Sequence, residues 1–221
     1  MAILKNNSKL SEIVVCEPSS ITVLNRFNIY LGFGDKTIED VCKENNLEAD
    51  FITTILNTYI NEDYFPVETL KSYSIGTIIE YFRKTYNYYL RFQIPNIERH
   101  FSSLITRSEN GNNNLSLLYN FFQEVKNEIL HRIDDDMKTF FPEIEMGILS
   151  QSNKLKFQEG DNSIEDKIND LINMFVIHLK GEYDVNLCHA VLFAILSFQK
   201  DIRQNNRIRN RILYSLINTS V

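Results

Sequence analysis

The sequence predicts an all-α protein, and three observations lead there. Apolar residues recur at helical spacing through long segments, cap-forming residues stand just ahead of several of those segments, and no stretch alternates apolar and polar residues for long enough to make a strand. Only seven Gly and four Pro interrupt 221 residues, and they fall between the periodic segments.

The first element is a short amphipathic stretch from Ser20 to about Asn28, just after Pro18. A turn over residues 31–35 leads to Thr37, which caps a second helix through Cys42 with Asp40 three residues on, the spacing of a capping box. A third helix runs from Ala49 to Ile60. Residues 61–73, with Pro66, read as a linker. Four longer helices follow. The first spans about residues 74–107, with Ile75, Ile79, Phe82, Tyr86 and Tyr89 on one face, and Pro95 is expected to kink it by removing a backbone donor. After a polar loop at 108–114, the second runs over about 115–138 with Leu118, Phe122, Val125, Ile129 and Ile133 in line. Residues 147–160 read as irregular. The third begins near Ser163 with a stripe of Ile164, Ile168, Leu171 and Phe175. The fourth covers about 186–218, with Val191, Ile195, Phe198, Ile202, Ile212 and Leu216 on one face. The expected architecture is a small three-helix N-terminal domain over residues 1–62, then an up-down-up-down four-helix bundle over 70–221.

Composition narrows the function. A 43% hydrophobic share with 15 Phe and 11 Tyr supports a packed core. A net charge of −6 offers no general attraction to nucleic acid or to an anionic membrane. The one local exception, Arg203, Arg207, Arg209 and Arg211, reads as a solvated helix face. No apolar run of about 20 residues is seen, so no membrane partner is expected. The N-terminal segment carries no secretory pattern, and three widely spaced cysteines without a CxxC pair suggest neither disulfides nor a zinc site. The expected compartment is the cytoplasm. No Ser-His-Asp grouping or Gly-rich phosphate loop is present, and no enzymatic activity is expected.

Four blocks carry a family resemblance. RFNIYLGFGDKTIEDVCKENNLEADFITTIL (26–56), FRKTYNYYLRFQIPNIE (82–98), ILHRIDDDMKTFFPEI (129–144) and FQKDIRQNNRIRNRIL (198–213) together resemble the hemerythrin-like iron–sulphur-cluster-repair di-iron proteins and their small N-terminal domain. The resemblance implies a hemerythrin-like bundle. It also implies a cysteine pair ahead of the Asp35-Lys36-Thr37 stretch, where this chain has residues 31–34 without cysteine, and Cys42 stands near a further family cysteine. In the bundle, the family's first-helix histidines fall on Tyr86 and Asn87, its second-helix His and Glu on Arg132 and Asp136, and its fourth-helix His and Glu on Asn205 and Arg209. No histidine takes the third-helix position near Ser163.

A di-iron centre needs imidazoles and carboxylates facing into the bundle, and arginine is not a ligand. At about 100° per residue, Arg132 and Asp136 fall close to the direction of Val125, and Asn205 and Arg209 close to that of Phe198. Asn87 points away from Phe82. The expectation is therefore no metal and no cofactor, with Tyr86, Asn87, Arg132, Asp136, Asn205 and Arg209 as a polar cluster at the former ligand level. Within it, Asp136 is expected to lie between Arg132 and Arg209 in an ion-pair network, the excess positive charge met by Glu165, Glu98 or an anion. The weaker alternative keeps iron, with His131 and Asp135 as a His-x-x-x-Asp pair, in a nitric-oxide or oxidative-stress role or in cluster repair. Without the metal, the expected role is binding a protein partner or sensing a signal.

Overall fold

A computed structural model describes residues 3–108, 113–148 and 163–219. Among them the structure is helical, and the lone β feature is an isolated bridge between Lys9 and Thr37. The loop expected at 108–114 and the irregular stretch at 147–160 lie largely outside the described residues. The chain divides into two compact units, Met1–Thr85 and Tyr86–Val221.

The first unit holds α1 (Leu10–Cys16), α2 (Ser20–Arg26), α3 (Ile38–Glu44), α4 (Ala49–Ile60), α5 (Val67–Ser72) and most of α6 (Ile75–Tyr88). Helices α1 and α5 were not foreseen: the first lies ahead of Pro18, and the second starts directly after Pro66, where proline's fixed φ suits a helix start. Thr37 caps α3 as expected, its Oγ1 accepting from the Asp40 amide at 3.2 Å while the Thr37 amide donates to Asp40 Oδ2 at 2.9 Å. Helix α4 is buried from Phe51 through Ile60. A helix apolar on one stripe alone leaves one face in water, whereas burial all round marks a central helix, and α2 and α3 both pack against α4. Several of its polar side chains bond to the backbone. Thr54 and Thr58 donate to carbonyls four residues back, those of Asp50 and Thr54, at 2.7 and 2.8 Å. Asn57 clamps the backbone of Leu4 with its carboxamide, accepting at 2.7 Å and donating at 3.0 Å.

Tyr81 explains why residues 63–85 group with the first unit, although the sequence starts the second domain near residue 70. Its ring lies 6.4 Å from Phe27 and 6.2 Å from Phe51, and its hydroxyl accepts from the buried Arg26 guanidinium at 2.7 Å. Arg26 also sits over the Tyr59 and Tyr81 rings at 5.9 and 5.7 Å, so burial of its charge is offset by π-faces and a hydrogen bond.

Cys42 is buried, and burial pushes its thiol up to about 11. A protonated, inaccessible thiol is a small apolar group rather than a nucleophile. Alkylation of the native chain is expected to mark the exposed Cys16 and spare Cys42, and Cys42→Ala to cost about 1 kcal/mol in urea unfolding. Fast labelling of Cys42 in the folded protein is the contrary result.

The second unit holds α7 (Ile94–Arg107), α8 (Asn113–Asp135), α9 (Phe141–Glu145), α10 (Ser163–Asn173), α11 (Val185–Ile208) and α12 (Tyr214–Thr219). Helices α7, α8, α10 and α11 each pack against two of the others, α7 on α8, α8 on α10, α10 on α11 and α11 on α7, which closes a ring of four. Their inner stripes supply the core. Phe101 stacks on Phe122 at 5.5 Å and meets Phe175 at 5.4 Å, with Leu118, Val125, Ile168, Val191, Ile195 and Phe198 buried around them. Each such side chain contributes roughly 1.5–3 kcal/mol.

Among the described residues, four π-helical turns interrupt or end these rods: Tyr89–Gln93, Asp136–Phe140, Met174–His178 and Arg209–Leu213. The first two have a physical cause in the sequence. Pro95 and Pro142 lack an amide hydrogen, and their rings collide with the carbonyl four residues back. Widening the preceding turn relieves both problems, and at Pro95 a local π-turn stands where a kink is expected. No proline accounts for the turn at 209–213.

One stretch, Val185–Asn218, is long and apolar enough to cross a membrane by length and composition, its most apolar window having a mean hydropathy of 1.2. It also buries Asp201, Gln204, Asn205, Asn206 and Arg209, polar side chains that suit a core helix facing hydrogen-bonding neighbours.

Candidate functional site

Three of the π-turns begin on a polar residue: Tyr89, Asp136 and Arg209. Such turns break the regular ladder and are common at functional positions. Two of these residues join Tyr86 to form the main polar site of the second unit.

Asp136 is 3% exposed, Arg209 8% and Tyr86 5%. Arg209 grips the carboxylate with both terminal nitrogens: Nη2 donates to Oδ1 at 2.8 Å and Nη1 donates to Oδ2. Tyr86 Oη donates to the same Oδ2 and accepts from Arg209 Nη1 at 3.1 Å. The three groups close a cycle in which both carboxylate oxygens are engaged. Phe141 stacks on Tyr86 at 6.0 Å with planes 11° apart, and the Arg209 guanidinium lies 5.7 Å from the centre of the Phe140 ring. The apolar walls exclude water and strengthen the charge-assisted bonds.

Electrostatics fix the protonation state. Burial raises the Tyr86 phenol well above its ordinary value, and the neighbouring Asp136 charge adds to this. Burial works against the Arg209 charge, and the Asp136 carboxylate opposes that through its own charge and its hydrogen bonds, so the guanidinium stays charged. The site is thus a neutral phenol on a carboxylate–guanidinium pair with no net charge.

This arrangement does not fit a di-iron centre. Its one carboxylate is saturated by a bidentate arginine, its nitrogens are all guanidinium donors, and no imidazole reaches it. Among the described residues, no three His, Cys, Asp or Glu side chains are grouped so that they could hold a metal ion.

The six residues expected in one cluster are divided. Tyr86, Asp136 and Arg209 meet. Asn87 is exposed and is corrected out of the cluster, as its position next to the inward Tyr86 requires. Arg132 is half-buried and donates to Asn206 Oδ1 at 3.0 Å, so Asp136 pairs with Arg209 and not with Arg132. Asn205 is buried in a second polar group: it donates to Tyr89 Oη and to Asp201 Oδ1 at 3.1 Å, while Gln93 donates to Asp201 Oδ2 at 3.4 Å. Glu165 receives Arg203 at 3.3 Å and Asn206 at 3.4 Å, and Glu98 receives Lys126 at 2.5 Å, so neither compensates the triad. His131 and Asp135 pair at 3.1 Å on the surface, with side chains 76% and 65% exposed, an ordinary i,i+4 contact turned away from the core.

Sequence reasoning missed Gln93, Asp201 and Asn206. A signal was available: Asp201, Asn205 and Arg209 follow one another at i,i+4, as do Tyr89 and Gln93, so each run lies on one helix face. Compared with known proteins, the chain matches no family model, no curated protein and no solved structure.

Proposed function

We propose that this chain is a divergent, metal-free relative of the hemerythrin-like iron–sulphur-repair proteins, with a small N-terminal helical domain and an up-down-up-down bundle, working as a partner-binding or regulatory module and not as an enzyme. The observation that carries this reading is the closed Tyr86–Asp136–Arg209 triad, whose groups satisfy one another at positions where the resemblance implies metal ligands. The ring formed by α7, α8, α10 and α11 supports the bundle. Cys16, Cys42 and Cys188 are all free thiols, which is compatible with the cytoplasm.

Iron content tests the proposal directly. Protein produced in iron-rich medium is expected to hold well under one iron per chain and to lack the near-ultraviolet absorption of an oxo-bridged pair. Two irons per chain, removed only by strong chelators, would replace this reading with a metal-based stress or repair role.

A further inference from the structure

Within the first unit, α6 and the turn between α3 and α4 border a cleft of about 350 Å³. Its floor is apolar and mostly aromatic: Phe27, Phe51 and Tyr81 supply ring surface, and Leu47 and Ile52 supply aliphatic surface. Phe51 meets Phe27 and Tyr81 edge-on at 6.5 and 6.2 Å, so the rings hold one another and the floor is formed before anything enters. Gly76, exposed in the first turn of α6, lines the mouth. A Cβ at that position would meet Ser74 Oγ alone, at 3.7 Å. Glycine weakens a helix relative to alanine, and here its missing side chain leaves the mouth open. Three charged side chains stand at the rim: Glu48, Glu80 and Lys84. Lys84 pairs with Glu80 at 3.3 Å along α6, and those two charges cancel. Glu48 is exposed and makes no capping bond to its own helix, and among the described residues no cation pairs with it. The rim therefore carries one uncompensated negative charge.

We infer that this cleft is a binding site for a small organic amine, a molecule with one apolar ring and one ammonium group on a short chain. Its volume lies at the lower end of the range for small-molecule sites, roughly 300–1,000 Å³, which limits the ligand to about that size. The ring takes the apolar floor out of water. The ammonium group is drawn to the faces of the aromatic rings and to the Glu48 carboxylate at the rim. A carboxylic acid of the same shape would bring its charge against Glu48, and a neutral molecule would gain from burial alone. A monovalent amine is the ligand that suits both floor and rim. The inference concerns the first unit and does not depend on whether the polar core of the second binds a metal.

Amide nuclear magnetic resonance of the full chain, titrated at neutral pH with phenethylamine and separately with phenylpropionate, is the test. The amide signals of Leu47, Gly76 and Tyr81 are expected to shift together and to saturate, with half-saturation by the amine at or below about 1 mM. The amine is expected to bind about fivefold more tightly than the acid, the scale of one exposed charge. Glu48→Lys, at an exposed position, is expected to abolish that preference while the rest of the spectrum stays that of the folded chain. Gly76→Leu, which places a side chain at the mouth, is expected to cause loss of binding for both molecules. Amide signals of the cleft that do not move, or that drift without saturating, overturn the inference. So do equal affinities of amine and acid in the wild type, a preference that survives Glu48→Lys, or binding that is unchanged in Gly76→Leu.

Discussion

Asp136→Ala is expected to lower the stability of the second unit by about 3–5 kcal/mol, because it leaves the Arg209 guanidinium buried with its main counter-charge removed. The loss is large against the roughly 5–15 kcal/mol that holds most domains together, and in a unit of this size it lowers the melting temperature by about 10 °C or more. The size of that effect measures the cost of an orphaned charge, not the worth of the pair. Replacing both partners, as Asp136→Leu with Arg209→Met, removes the charge and its counter-charge together and is expected to recover most of the loss. The signature is therefore strong non-additivity: two costly single changes and a much milder double one. Urea unfolding of the four proteins closes the cycle. If Asp136→Ala costs under about 1 kcal/mol, as an exposed ion pair would, the triad is not the buried element described above.

How far this site could be read from sequence depends on helix phase. Asp136 and Arg209 could be placed because their helices are long and regular up to those residues, so counting from Val125 and Phe198 carries the inward direction reliably. Arg132 could not, because one reference residue is a poor axis. Averaged over Leu118, Phe122, Val125, Ile129 and Ile133, the core direction of α8 shifts so that Arg132 lies about 60° from it. At such an edge a long cationic chain lays its stem on the core and turns its head to a polar neighbour, here Asn206. The π-turns are half legible: Pro95 and Pro142 announce a disturbance, but not whether it becomes a kink or a widened turn. The turn at 209–213 has no such marker, and it is the one that begins on Arg209. The buried amides of Gln204 and Asn206, on either side of the inward Asn205, were harder still, since three consecutive polar residues on a helix ordinarily include a solvent-facing one.

Tyr86→Phe tests the third member of the triad, and its effect depends on pH in a definite direction. At neutral pH the change removes a hydroxyl that donates to a buried carboxylate and accepts from a buried guanidinium, which is expected to cost about 1.5–3 kcal/mol. The folded-state phenol is raised above its ordinary value, chiefly by burial, whereas in the unfolded chain it ionises near pH ~10. Below that pH both states are protonated and the wild type keeps its full advantage. Above it the unfolded wild type loses a proton that the folded protein retains, so its stability falls by up to about 1.4 kcal/mol per pH unit for this group. The phenylalanine variant has no such proton to lose. Tyrosines common to both proteins cancel in the comparison, so the gap between wild type and Tyr86→Phe in denaturant unfolding is expected to narrow as pH rises from about 9 to 11. A gap that stays constant across that range would mean that Tyr86 ionises as readily folded as unfolded, and that its hydroxyl is not held on Asp136 inside the bundle.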